Sequence, residues 1–241
     1  MNSNEEWEKI AINDPLYGIS SEKGKSGRRW TLEEFYGKGE RYLRYISKDL
    51  DEVSKDATVL DFGCGVGRIS RILARNFKTV IGLDVSESMV RLAKEYNDSI
   101  GSLSFAHYDG KNFPFTNSAF DLIVSFQVLQ HVDPVGIKKI LSEIYRVKKP
   151  DGIAILHLPQ PSLSFKLMRL MRGVAIRRLL TKGLSRLGLV ARFPGRLWVL
   201  SQYNVYSDYK IKELMKSVGF SEIIVRCWSP SSRQTAIYIA R

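Results

Sequence analysis

Val59-Leu60-Asp61-Phe62-Gly63-Cys64-Gly65-Val66-Gly67-Arg68, followed by Val80-Ile81-Gly82-Leu83-Asp84, is the stretch on which the fold turns. Residues 58–62 are a short apolar run that predicts a strand, and residues 68–76 carry apolar side chains at helical spacing. The glycines between them fall at the strand's carboxyl edge, where open α/β sheets bind ligands. Gly63 and Gly65 let the backbone turn tightly and approach a ligand with no Cβ in the way. The spacing is GxGxG with Arg68 next, whereas a dinucleotide fingerprint would require glycine at position 68. Asp84 closes the second strand, where a carboxylate can accept both hydroxyls of a ribose.

Outward from this stretch, strand-like and helical runs alternate. Strands are expected at 79–83, 103–107, 119–126 and 152–158, and helices at 87–96 and 134–147, with 149–152 a turn into the fifth strand. Such alternation predicts βαβ units and a parallel sheet covered on both faces. The end differs: a helix over 208–218 closed by Gly219 precedes strands at 221–228 and 234–240, an antiparallel pair. The expected fold class is thus α/β, a seven-stranded, doubly wound, mostly parallel sheet with an antiparallel C-terminal hairpin. Before it, residues 1–30 read as a loosely structured arm anchored by Trp7, Tyr17 and Trp30. Residues 31–50 read as one helix with a Thr31–Glu34 capping box. The domain organisation expected is an arm and helix over 1–50, forming part of a lid, and one domain over 51–241 with a helical insertion at 160–206.

Composition limits the function classes. Hydrophobic content of 44% and charged content of 26% in 241 residues suit one well-packed domain and not a disordered chain. Residues 1–10 carry Glu5, Glu6 and Glu8 and lack a signal peptide's basic start and apolar run, and no stretch of about 18 apolar residues occurs. A cytoplasmic location is expected. Cys64 and Cys227 are far apart and read as free thiols, and no metal-ligand spacing appears, so no metal is expected. The net charge of +12 is concentrated: residues 152–207 contain no acid but nine basic residues, from Lys166 to Arg196.

Residues 59–68, 80–89 and 120–133 resemble the first, second and fourth motifs of the class I (Rossmann-like) S-adenosylmethionine-dependent methyltransferases of small-molecule type, and the likeness runs over 56–158. The resemblance implies S-adenosylmethionine as cofactor. It places Gly63, Cys64 and Gly65 around the methionine moiety, Asp61 at its amino group, Asp84 at the ribose hydroxyls, and Val85 and Met89 beside the adenine. Asp109 would meet the adenine amino group with the small Gly110 next to it. Phe126, Gln127 and Gln130 would close over the sulfonium side, and Arg68 joins the cofactor contacts. The activity implied is methyl transfer to oxygen or nitrogen of a small or lipid-linked acceptor. RNA methylation, or cofactor binding without catalysis, are the alternatives.

His131, after the fourth strand, and His157, at the end of the fifth, both fall at the carboxyl edge and are candidate general bases. Each also has a structural reading as a strand-end or helix-start residue. Tyr17, Trp30 and Tyr36 are candidate lid contacts. Residues 163–187 interleave Leu163, Leu167, Leu170 and Met171 with Lys166, Arg169 and Arg172, the pattern of a cationic amphipathic helix. That segment could meet an anionic membrane surface or a phosphorylated or carboxylated substrate, or be a lid with a solvated basic face. Nucleic acid fits less well, since few aromatic side chains there could stack on bases.

Overall fold

The computed structural model describes residues 3–22, 24–160, 204–228 and 235–241. The expected basic insertion, apart from its first and last residues, and the 229–232 link of the hairpin lie outside them. Helices α1 (Ser3–Asn13), α2 (Pro15–Ile19), α3 (Leu32–Gly37), α4 (Glu40–Leu43) and α5 (Ser47–Asp51) precede the alternating series β1 (Thr58–Phe62), α6 (Ser70–Leu73), β2 (Thr79–Asp84), α7 (Glu87–Tyr96), β3 (Leu103–His107) and β4 (Phe120–Ser125). A 3-10 turn (Leu129–His131), α8 (Gly136–Val147), β5 (Lys148–Pro159), α9 (Asp208–Val218), β6 (Ile223–Trp228) and β7 (Thr235–Ala240) complete the chain.

The seven strands lie in the order β3-β2-β1-β4-β5-β7-β6. The first five are parallel, and β7 runs antiparallel between β5 and β6. The chain builds β1, β2 and β3 toward one edge and then places β4 on the other side of β1, so the topological switch lies between β1 and β4. A crevice at that point is where a doubly wound sheet takes its ligand.

Period-two alternation divides the core into two layers. Leu60, Phe62, Ile123, Leu156 and Tyr238 pack with Ile140, Leu141 and Ile144 of α8 and Ile211 and Met215 of α9. Their neighbours Val59, Val80, Leu122, Val124, Ile155 and Ile239 pack on the other face with Ile46, Leu50, Ile72 and Leu73. A third cluster joins Trp30, Phe35 and Tyr36 to Ala11 and Leu16 of the N-terminal helices and to Val66 and Met89 of the body.

Four local expectations differ from what forms. The first 30 residues are not a loose arm: α1 and α2 form because Trp7, Ile10 and Ala11 sit at helical spacing and find apolar partners on the body, while Asp14-Pro15 is the break between the two helices, with Pro15 at the first helical position. The single helix expected over 31–50 is three short ones separated at Gly37–Gly39 and Arg44–Ile46, although the Thr31–Glu34 capping box is present. The helix expected over 68–76 is confined to Ser70–Leu73 and flanked by turns. The turn expected at 149–152 is instead part of β5, as an irregularity in which Phe120 pairs Lys148 and Leu122 pairs Ile153.

Residues 160 and 204 bracket the insertion and are both tied to the body. Gln160 Nε2 donates to Tyr238 Oη at 2.6 Å, and Tyr238 Oη donates to Asp208. Asn204 donates from its backbone to Gln130 O (2.8 Å) and from Nδ2 to Val132 O (2.9 Å), and Tyr206 Oη reaches the same Val132 carbonyl. The segment therefore departs beside β7 and α9 and returns beside the residues that follow β4.

Candidate active site

Past Phe62 the backbone of β1 turns through Gly63, Gly65 and Gly67, all with positive φ (75°, 54° and 85°). A Cβ on Gly63 would occupy the space of the Val128 side chain, and one on Gly65 would stand 2.6 Å from Ile19 Cδ1. Glycine is required there both for its conformation and for the closeness of the neighbours. The carboxylate of Asp84, at the end of β2, faces this loop. Oδ2 accepts from Gly65 N (2.8 Å) and Oδ1 from Ser86 N (3.0 Å), which orients both oxygens and leaves a further lone pair on each. Burial raises the Asp84 pKa, and these backbone N–H groups oppose the rise.

A cavity of about 370 Å³ opens against these residues. Its walls are the carboxyl ends of four neighbouring strands: Phe62, Gly63, Gly65 and Arg68 after β1, Asp84, Val85 and Met89 at and after β2, Tyr108 after β3, and Phe126, Gln127, Val128, Gln130 and His131 after β4. The N-terminal region closes the remaining side with Trp7, residues 18–22 and Tyr42. Burial, together with the Asp84 and Asp109 charges, pushes the Tyr108 phenol well above its ordinary range, so it stays protonated and can donate into the cavity.

Of the residues singled out in the sequence, Gly63, Gly65, Arg68, Asp84, Val85, Met89, Phe126, Gln127, Gln130 and His131 converge on this cavity. Asp61 and Cys64 stand behind the glycine loop, both buried. Asp61 accepts from Ser70 Oγ at 2.6 Å, and desolvation lifts its carboxyl to about 6. Asp109 does not line the cavity: it is exposed and accepts from Lys111 N and Asn112 N as the cap of its own turn, which lowers its pKa, and Gly110 lies beside Asn4 of α1. His157 also lies outside, buried and stacked on Phe126 at 5.7 Å, and burial depresses its pKa to about 4. His131 meets Trp7 edge-on at 5.1 Å.

The lid contacts are redistributed. Tyr36 Oη is spent on Val66 O and Asn97, and Trp30 Nε1 holds Ser20 O at 3.1 Å, steadying the segment that reaches the cavity. Trp7, Ile19 and Tyr42 do the lining instead. Their signal in the sequence is only the apolar spacing of short helices, since contact with a cavity more than 20 residues downstream has no local signature.

A doubly wound sheet with a glycine loop, a strand-end carboxylate and a cavity at its switch point has the form of a nucleoside-binding site. Residues 59–152 match the family model described as methyltransferase domain. The chain is similar to 2-methyl-6-phytyl-1,4-hydroquinone methyltransferase of Synechocystis sp. (27% identity, 64% of this chain, 49% of that protein) and to demethylmenaquinone methyltransferase of Staphylococcus epidermidis (27% identity, 73% of each). It spans about half the length of several curated relatives that it matches. Its fold is similar to that of magnesium protoporphyrin IX methyltransferase from Synechocystis, crystallised with bound SAH (TM-score 0.62, 19% identity, 96% of this chain and 98% of that one). Residues 59–152 thus carry a methyltransferase domain, on a fold shared with S-adenosylmethionine-dependent methyltransferases. The residues present fit that cofactor: the volume falls in the range of small-molecule sites, about 300–1,000 Å³, the glycine backbone is bare on the ligand side, and Asp84 retains acceptor capacity.

Proposed function

We propose that this protein methylates oxygen or nitrogen of a small or lipid-linked acceptor, using the cavity at the β1/β4 switch for the methyl donor. The observation that carries the reading is the convergence of the Gly63–Gly65 loop, Asp84 and the Phe126–Gln127 segment on one cavity. S-Adenosylmethionine, when bound, supplies a methyl group already activated by its sulfonium charge. The chain's own task is then alignment and exclusion of water. Asp84 takes the ribose hydroxyls, Gly63 and Gly65 pass close under the amino-acid arm, Met89 and Val85 pack the adenine, and Phe126 covers the sulfur side. Asp61, one layer behind, sets the charge beneath the glycine loop. His131 is the candidate base, because it lines the cavity and lies against the arm, where an acceptor's proton would have to leave. His157, held outside, is the weaker candidate.

Relatives whose names specify a phytyl hydroquinone and a demethylmenaquinone support an amphiphilic acceptor, and the basic residues of 163–187 support contact with an anionic surface on the way to it. One relative is named sterol 24-C-methyltransferase, which makes carbon a second target. Among the described residues no helix is long and apolar enough to cross a membrane. Calorimetry with S-adenosylmethionine and S-adenosylhomocysteine tests the donor site: Asp84→Ala should weaken both at least about tenfold, roughly 1.4 kcal/mol. Unchanged binding would sink the assignment. Labelled methyl transfer into aqueous and lipid fractions then separates the acceptor classes.

A further inference from the structure

His131 hangs on a single turn, and the bonds that fix the turn come from far along the chain. Locally, the 3-10 turn Leu129–His131 is closed by His131 N donating to Val128 O (2.8 Å) and Val132 N to Leu129 O (3.3 Å). A turn this short leaves carbonyls unpaired, and carbonyls away from water need donors. Two of them, Gln130 O and Val132 O, are taken by one residue, Asn204, through its backbone N–H (2.8 Å) and its Nδ2 (2.9 Å). Tyr206 Oη gives the Val132 carbonyl a second donor at 3.1 Å. That phenol is buried, and burial with the nearby Asp133 charge pushes its pKa up to about 12, so it stays protonated and able to donate.

The peptide that leads into His131 is thus held at both ends, its N–H by Val128 and its C=O by Asn204. Just beyond, Asp133 Oδ1 accepts from Val135 N and Gly136 N and starts α8. With the backbone fixed on both sides, the Cα–Cβ direction of His131 is fixed too, and the ring stands at the cavity, edge-on to Trp7 (5.1 Å, 83°). The local bonds alone would hold it less firmly, because hydrogen-bond geometry in a 3-10 turn is poor. Asn204 is 72 residues from Val132 in sequence, where the chain returns from the basic segment, and it does not itself line the cavity.

Resting on the assignment of His131 as base, we propose that Asn204 is a positioning residue: it holds the Leu129–His131 turn so that the imidazole faces an acceptor in the cavity. Tyr206 assists through the shared Val132 carbonyl. The return of the basic segment, and not β4 alone, then decides where the acceptor's proton is taken.

Asn204→Ala combined with Tyr206→Phe removes both side-chain donors to Val132 O and keeps the packing of the aromatic ring. Losing one or two neutral hydrogen bonds should let the turn open roughly three- to tenfold more often. Diethyl pyrocarbonate reports this without any acceptor, because peptide mass mapping follows each of the three histidines separately. His131 should be carbethoxylated at least about threefold faster in the variant, while exposed His107 reacts at an unchanged rate and buried His157 stays unmodified. S-Adenosylhomocysteine should bind both proteins equally. With S-adenosylmethionine tritiated in its methyl group and a lipid extract as acceptor source, turnover at saturating donor should fall about tenfold with the donor KM unchanged. In a His131→Gln background the same two changes should cost no further turnover. An unchanged His131 rate, equal acceleration of His107, weaker S-adenosylhomocysteine binding, or a further loss in the His131→Gln background would each overturn the proposal. Full turnover in His131→Gln alone would instead defeat the base assignment on which it rests.

Discussion

Asp61 shows what the site costs the fold. It is fully buried, Ser70 Oγ donates to it, and desolvation brings its carboxyl to about 6 against 3.8 for the free side chain. The native state therefore holds a proton that the unfolded chain has lost between pH 3.8 and 6. The stabilisation this gives is full below 3.8 and is lost as pH rises through 6, so that above neutrality the ionised group costs at most about 3 kcal/mol. Asp61→Asn keeps an acceptor for Ser70 and removes the charge. Its melting temperature should exceed that of the parent at pH 8, and the two should converge near pH 4, while S-adenosylhomocysteine binds more weakly if an ammonium is the intended partner. A lower melting temperature at pH 8 would count against it. The placement of Gly63, Gly65 and Asp84 on one cavity was legible in the sequence because it follows from local position at a strand end. The companions of Arg68 were not, since Phe35 and Tyr42 come from helices before β1 and Gln127 from after β4, and only packing joins them.

At the level of elements, α1 and α2 matter most, and they were the part read least well. Turn-forming residues at 13–15 suggested a loose chain, but Trp7, Ile10 and Leu16 gain burial only by reaching Val66 and Met89, a tertiary reward that no local window reports. The consequence is a cover with a specific fastening: Glu8 accepts from Ser86 Oγ at 2.6 Å and from Ser88 N at 3.3 Å, and Ser86 caps α7 and donates its own N–H to Asp84. Glu8→Ala should leave the melting temperature within a few degrees of the parent, since a partly exposed pair contributes about 1 kcal/mol or less. It should nevertheless speed S-adenosylhomocysteine dissociation several-fold in stopped-flow measurements. An unchanged off-rate would mean that α1 stays seated without its fastening. The central strands and α7, α8 and α9, in contrast, formed close to where alternation, spacing and caps placed them, because there local pattern and packing agree.

For the molecule as a whole, His157 makes stability depend on acidity. Buried against Phe126 between β4 and β7, it has its pKa depressed from 6.5 to about 4. The unfolded chain takes up the proton first, so stability from this group is present above 6.5 and falls away as pH drops toward 4, by about 3 kcal/mol. Asp61 works in the opposite sense over nearly the same window, and the raised Asp84 carboxyl adds to it, so these acids offset the loss from His157 as pH falls. His157→Phe should leave the slope from Asp61 and Asp84 unopposed, its melting temperature rising relative to the parent as the medium is acidified. A parallel pair of curves would refute this. The fold class followed from the sequence because seven strands carry their own apolar signatures, whereas the acceptor did not, because the sequence of residues 161–203 offers basic and apolar side chains but no motif that names a partner. Gln160 and Asn204, secured to Tyr238 and to the carbonyls of Gln130 and Val132, are two fixed points on either side of that stretch. A change in length or sequence between two anchored points leaves those fastenings, and with them the sheet, in place.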